Sequence, residues 1–122
     1  MKRTIRAIDV LPLELELNQP FSISGGESRS VEIAVVRIEL ADGTTGLGEA
    51  APFPPYDGQT RESVLEALST AAPSLIGLDP LLSHQIHQCA RDAAPGSASA
   101  LVALEMAALD AMSRAEQVPL WR

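Results

Sequence analysis

His84 and His87 stand three residues apart, with Cys89 and Asp92 just beyond them, a spacing that on a helix would turn both imidazoles towards one metal ion. No second ligand pair occurs elsewhere in the chain, so these residues read instead as the polar face of a helix. Cys89 has no neighbour in sequence that would activate its thiol and reads as a small packing residue. Gly46-Leu47-Gly48 looks like part of a phosphate-cradling loop, yet it lacks a third glycine and does not open a helix, which favours a turn or close packing. Glu49 and Asp57 flank a proline-rich stretch as candidate paired carboxylates, against which a surface or capping role is the simpler reading. Asp110, inside an alanine-rich segment, reads as a structural hydrogen-bond partner rather than a catalyst. Phe21, Phe53 and Tyr56 are different, because they lie in Gly- or Pro-rich stretches rather than in periodic ones, where substrate contact and core packing are both open.

The elements that must position these groups follow from periodicity. Thr4 to Leu17 alternates apolar and polar side chains after Pro12, as a half-buried strand does, and Pro12 predicts an edge or a bend. Asn18 to Ser28 is rich in residues that tolerate unusual backbone angles and predicts a mobile loop. Val31 to Leu40 is dominated by β-branched residues, and Asp42-Gly43 then marks a tight turn into a third strand, Thr45 to Ala50. Gly46 and Gly48 leave one face of that strand bare and predict close approach of another backbone.

Three prolines make Ala51 to Gly58 a second, stiffer loop. Thr60 predicts a helix N-cap ahead of Val64, Leu65, Leu68, Ala71 and Ala72, with Pro73 interrupting or ending that helix. Asp79-Pro80 predicts the next helix start, with Leu82 and Ile86 on its apolar stripe. Ser97 or Ser99 opens a longer helix carrying Leu101, Leu104, Ala108 and Met112 on one side, kept slim by Ala107, Ala111 and Ala115. The fold class is therefore α+β: a three-stranded antiparallel meander followed by three helices on one face.

The chain of 122 residues, 46% hydrophobic, suffices for one compact domain. A formal net charge of -7, spread along the whole length, argues against nucleic acid and anionic membrane surfaces as partners. The single cysteine permits no internal disulfide, no apolar stretch approaches the roughly 20 residues of a membrane helix, and the first residues lack the pattern of a secretion leader. A cytoplasmic protein is expected. The terminal Leu120 and Trp121 look unfinished and predict that something follows.

Taken in order, Gln19-Pro20-Phe21, Val35-Val36-Arg37-Ile38, Asp42 to Pro52, Ala103 to Ala111 and Val118 to Trp121 resemble the N-terminal capping domain of the mandelate-racemase and muconate-lactonising branch of the enolase superfamily. The resemblance runs from Ile5 to Trp121 and is nearest to dipeptide epimerases, with muconate cycloisomerases and o-succinylbenzoate synthases close by. It implies that residues 1–122 form one capping domain whose loops close over a following (β/α) barrel that the chain lacks. Pro20 to Ser28 resembles the first specificity loop and Pro52 to Gly58 the second. Phe21, Ile23, Ser24, Gly26, Phe53 and Tyr56 are the implied substrate contacts.

The resemblance also implies chemistry that this chain does not carry. Family members remove a proton next to a carboxylate with a Lys or His base and a divalent metal, Mg²⁺, at the barrel mouth. Lys2 is the only lysine here, so no catalytic residue or metal ligand is assigned and the chain alone is expected to be inactive. Its first loop reads Ser24-Gly25-Gly26-Glu27, without the arginine that holds an acidic side chain in Ala-Glu epimerases. An apolar dipeptide against Phe21, Ile23, Phe53 and Tyr56 fits better than an acidic one. The implied partners are the missing barrel and a small-molecule carboxylate substrate. The alternative is a stand-alone module that associates with copies of itself through an open sheet edge or the loop face.

Overall fold

The computed structural model describes residues 3–24 and 26–122, with the side chain of Ile23 also outside the description. Strands β1 (Ile5–Ile23), β2 (Gly26–Leu40) and β3 (Thr45–Ala50) form an antiparallel meander in the order β1-β2-β3. Helices α1 (Pro54–Asp57), α2 (Arg61–Leu75), α3 (Ser83–Ala93) and α4 (Ala98–Glu116) follow. The predicted α+β layout holds, with one additional short helix, because Pro54 and Pro55 fix the torsions that a first helical turn uses.

Every other residue of β2 faces the helices. Ala34, Val36, Ile38 and Leu40 are buried there against Val64, Leu68, Ala71 and Leu75 of α2, Ile86 and Ala90 of α3, and Leu104 and Ala108 of α4. Ile5 closes the base: its N–H donates to the Leu78 carbonyl at 2.8 Å and its carbonyl accepts from Gly77 N–H at 2.8 Å. Gly77 can serve there because it takes φ +88°, where a side chain would be strained.

Gly46 and Gly48 do what their bareness predicts. A Cβ on Gly48 would fall 2.0 Å from the Ala103 carbonyl oxygen, and one on Gly46 would fall 2.3 Å from both Ala107 O and Ala111 N. Small residues one turn apart on α4 thus let helix backbone rest on strand backbone. Asp110 adds to the seal, accepting from Leu47 N–H at 2.9 Å and from Arg114 Nε at 3.1 Å, so one donor on the outer edge of β3 is satisfied by a side chain.

Three expectations need correction. Asn18 to Ser28 is the end of a long hairpin rather than a free loop: the ladder breaks between Glu16 and Phe21, then resumes with Phe21 opposite Ser28, Ser22 opposite Glu27 and Ile23 opposite Gly26. Pro20 falls in the irregular stretch, where no ladder donor is needed. Pro73 does not stop α2, which runs to Leu75; the lost bond is to the carbonyl of Ser69, an exposed residue that water can serve. Asp79-Pro80 makes a turn, not a helix start, with Asp79 Oδ1 accepting from Leu81 N–H at 2.9 Å and the Asp79 carbonyl from Leu82 N–H at 3.0 Å. An Asx-turn and an N-cap use the same short side chain in the same way, which is why the sequence misplaces this boundary. Leu82 is accordingly exposed, while Ile86 is buried.

Ser97 caps α4 through Ala100 N–H at 3.3 Å, and His87 of α3 meets Glu105 of α4. No helix among the described residues is long and apolar enough to cross a membrane.

Candidate functional site

The two loop regions meet. Leu17, Gln19, Pro20, Phe21, Ser28, Ser30, Val31 and Glu32 of the hairpin face Ala51, Pro52, Phe53, Pro54, Pro55 and Arg61 across a cleft of about 760 Å³. That is room for a small organic ligand, and its walls are mainly apolar, as such sites usually are. β1 and β2 deliver one wall by running beyond the helices. The other wall follows β3 directly, because the sheet ends at Ala50 and the prolines turn the chain.

The second wall is held at both ends. Phe53 caps α1, its carbonyl accepting from Tyr56 N–H at 2.9 Å and Asp57 N–H at 3.0 Å, and Gly58 closes the turn at φ +70°. Asp57 Oδ1 accepts from Gln59 N–H at 2.8 Å, while Oδ2 lies 3.4 Å from Phe53 N. Thr60 and Ser63 then exchange side-chain-to-backbone bonds of 3.0 Å each, a reciprocal cap on α2. Asp57 therefore shapes the loop, and no bond joins it to Glu49.

Of the residues expected to touch substrate, Phe21 and Phe53 share this cleft. Ser24 and Gly26 lie exposed at the hairpin end and are not part of its lining. Tyr56 points to solvent, 86% exposed, and the side chain of Ile23 lies outside the described residues. Sequence reasoning missed Leu17, Val31, Glu32 and Arg61. Val31 and Glu32 sit in strand register rather than in a loop, and Leu17 opens the interruption of the ladder after Glu16; Arg61 had one clue, its place directly after the cap that ends the second loop.

The electrostatics of the molecule concentrate elsewhere. Glu39 is held below its ordinary value of 4.5 chiefly by the hydrogen bond and charge of Arg6, helped by Arg37, which also lies 3.3 Å from Asp9. Asp42 is lowered from 3.8 by the N–H of Thr44, which it accepts at 2.9 Å across the β2–β3 turn. Neither carboxylate lines the cleft. Among the described residues no three His, Cys, Asp or Glu side chains gather as metal ligands.

Comparison with known proteins adds the family context. Residues 5–122 match the mandelate racemase / muconate lactonizing enzyme N-terminal domain. An aromatic dipeptide epimerase of Herpetosiphon aurantiacus is 38% identical across 98% of this chain, which spans 34% of that enzyme. A hydrophobic dipeptide epimerase of Enterococcus faecalis is 29% identical across 97% of the chain and 33% of its own length. The crystal structure of a dipeptide epimerase from Enterococcus faecalis V583, complexed with Mg and the dipeptide L-Leu-L-Tyr, superposes with a TM-score of 0.93 at 29% identity over 97% of this chain and 33% of that one. The chain thus spans about a third of the length of the curated relatives it matches.

Proposed function

Because this chain belongs to the mandelate racemase / muconate lactonizing enzyme family, as its N-terminal domain, we propose that it is the substrate-selecting lid of a dipeptide epimerase. One observation carries the proposal: two segments remote in sequence, the hairpin end and the proline turn, converge on one mainly apolar cleft. Phe21 and Phe53 offer the flat apolar surfaces that an aliphatic or aromatic side chain would pack against. Ser24, Gly26 and Tyr56 lie outside the cleft lining and would, with Ile23, reach the ligand only once a barrel supplies the floor.

The proton abstraction belongs to that barrel, and the exposed Val118, Leu120 and Trp121 give it apolar surface to cover. The metal the chemistry requires, Mg²⁺, is held there and not by these residues. Proton exchange tests this division. The 122-residue chain with Mg²⁺ and L-Leu-L-Tyr in D₂O should leave the α-proton signals intact, whereas the longer polypeptide carrying the barrel should exchange them. Exchange by the chain alone would overturn the lid reading, as would a barrel-bearing polypeptide whose ranking of dipeptides is unmoved by Phe21→Ala and Phe53→Ala together.

A second reading draws on the sheet face turned away from the helices. Leu11, Leu13 and Leu15 of β1 and Leu47 of β3 are each about half exposed, which would suit pairing of copies in place of a barrel. Sedimentation of the chain at rising concentration separates the two: a monomer throughout removes the module.

A further inference from the structure

The outward sides of the three longer helices differ in chemistry. α2 turns Glu62, Glu66 and Thr70 to solvent, and α3 turns His84, Gln88 and Asp92, as helices buried along one side normally do. α4 instead carries Val102 and Met106 there, 52% and 42% exposed, with the half-buried Leu109 one turn further on. Steps of four and three residues put these side chains in one stripe. The charged neighbours are engaged sideways: Glu105 meets His87 of α3, and Asp110 accepts from Leu47 N–H of β3 at 2.9 Å. An apolar strip with polar groups along its margins has the make-up of a contact surface.

The stripe joins two distant places. At its start, Val102 shares a shallow pocket with Ala50 and Ala51, directly before the proline turn that walls the cleft. At its end, Val118 N–H donates to the Ser113 carbonyl at 3.0 Å, which lays the exposed Val118 on the last turn of α4, with Leu120 and Trp121 beyond. The other exposed apolar face, Leu11, Leu13 and Leu15, stands across the sheet from the helices. One rigid body can cover either side, not both.

We infer that the stripe Val102, Met106 and Leu109 is the surface on which the barrel of the longer polypeptide seats, and that the leucine face of the sheet stays outside this contact. The inference rests on the lid reading and adds the side by which the lid is held. The chain spans about a third of its curated relatives, so the body to be seated is large. It has to reach the proline turn and also receive the chain after Glu116, and α4 offers an apolar path between those points.

Met106 is a built-in probe, because peroxide oxidises an exposed thioether readily and a covered one slowly. The 122-residue chain and the longer polypeptide are compared by peroxide oxidation and by hydroxyl-radical footprinting, read by mass spectrometry. Met106 should oxidise about tenfold more slowly in the longer polypeptide, with labelling of Val102 falling in parallel and that of Leu11, Leu13 and Leu15 unchanged. Protection of the leucines in place of Met106 overturns the seat on α4 and spares the lid reading. Protection at neither face sinks both. Oxidation of Met106 that slows in the 122-residue chain alone as its concentration rises gives the stripe to a second copy, and overturns the seat as well.

Discussion

The β1–β2 hairpin has two halves with different reasons to exist. Its root, Ile5 to Val10 opposite Val36 to Leu40, is pinned to the Gly77–Leu78 turn and covered by helices, with Ile5, Val36, Ile38 and Leu40 buried. Its tip, from Leu11 outwards on β1, exposes Leu11, Leu13, Leu15 and Phe21 by roughly half, although Ala34 and Ile33 of β2 stay buried beside Pro12 and Leu13. Burial of apolar area is what folding is driven by, so the root explains itself. The tip contributes little to that drive and keeps large apolar side chains in water, which is the signature of a surface meant for something else.

The sharpest way to break this contrast is to damage the root and spare the tip. Leu104→Ala empties a fully buried site beneath β2 and should cost about 3 to 5 kcal/mol in urea unfolding. Gly48→Ala drives a methyl into the Ala103 carbonyl and should cost about 2 to 3 kcal/mol, because the obstacle is backbone and cannot swing aside. A Gly48→Ala protein as stable as wild type would mean that α4 does not rest on β3.

Acid should act more weakly, and at the root. The folded-state pKa values of Glu39 and Asp42 are depressed, so their contribution is fully present above the ordinary values of 4.5 and 3.8 and is lost as pH falls through the folded-state values. The urea midpoint should drop as pH goes from about 5 to about 3, and Arg6→Met should flatten that slope. An unchanged slope in the variant would deny Arg6 its role. Smallest of all, Phe21→Ala should leave stability within about 0.5 kcal/mol of wild type while weakening dipeptide binding. A loss of several kcal/mol would place Phe21 in the core and erase the contrast.

The same division decides what could be read from sequence. Where one local rule had one outcome, the reading held: Asp42-Gly43 turns the chain, Thr60 caps α2, and Gly46 and Gly48 face a helix of alanines. Where two structures share a signature, it failed. Asp79-Pro80 is as good a turn as a cap, and glycines with Pro20 describe a hairpin end as well as a loop. The cleft was half legible, since Phe21 and Phe53 betrayed themselves by standing outside any period. Arg61 could not be placed, because only the crossing of α2 under β1 brings it beside a strand 48 residues away.

The interrupted ladder between Glu16 and Phe21 also makes the outer pairs a detachable cassette. Register beyond a bulge is set afresh, so residues from Leu17 to Arg29 can change in length or character without shifting Ile38 or Leu40 by a single step. A scaffold built this way can be retuned to new ligands by editing its fingertip, and its foundations never learn of the change.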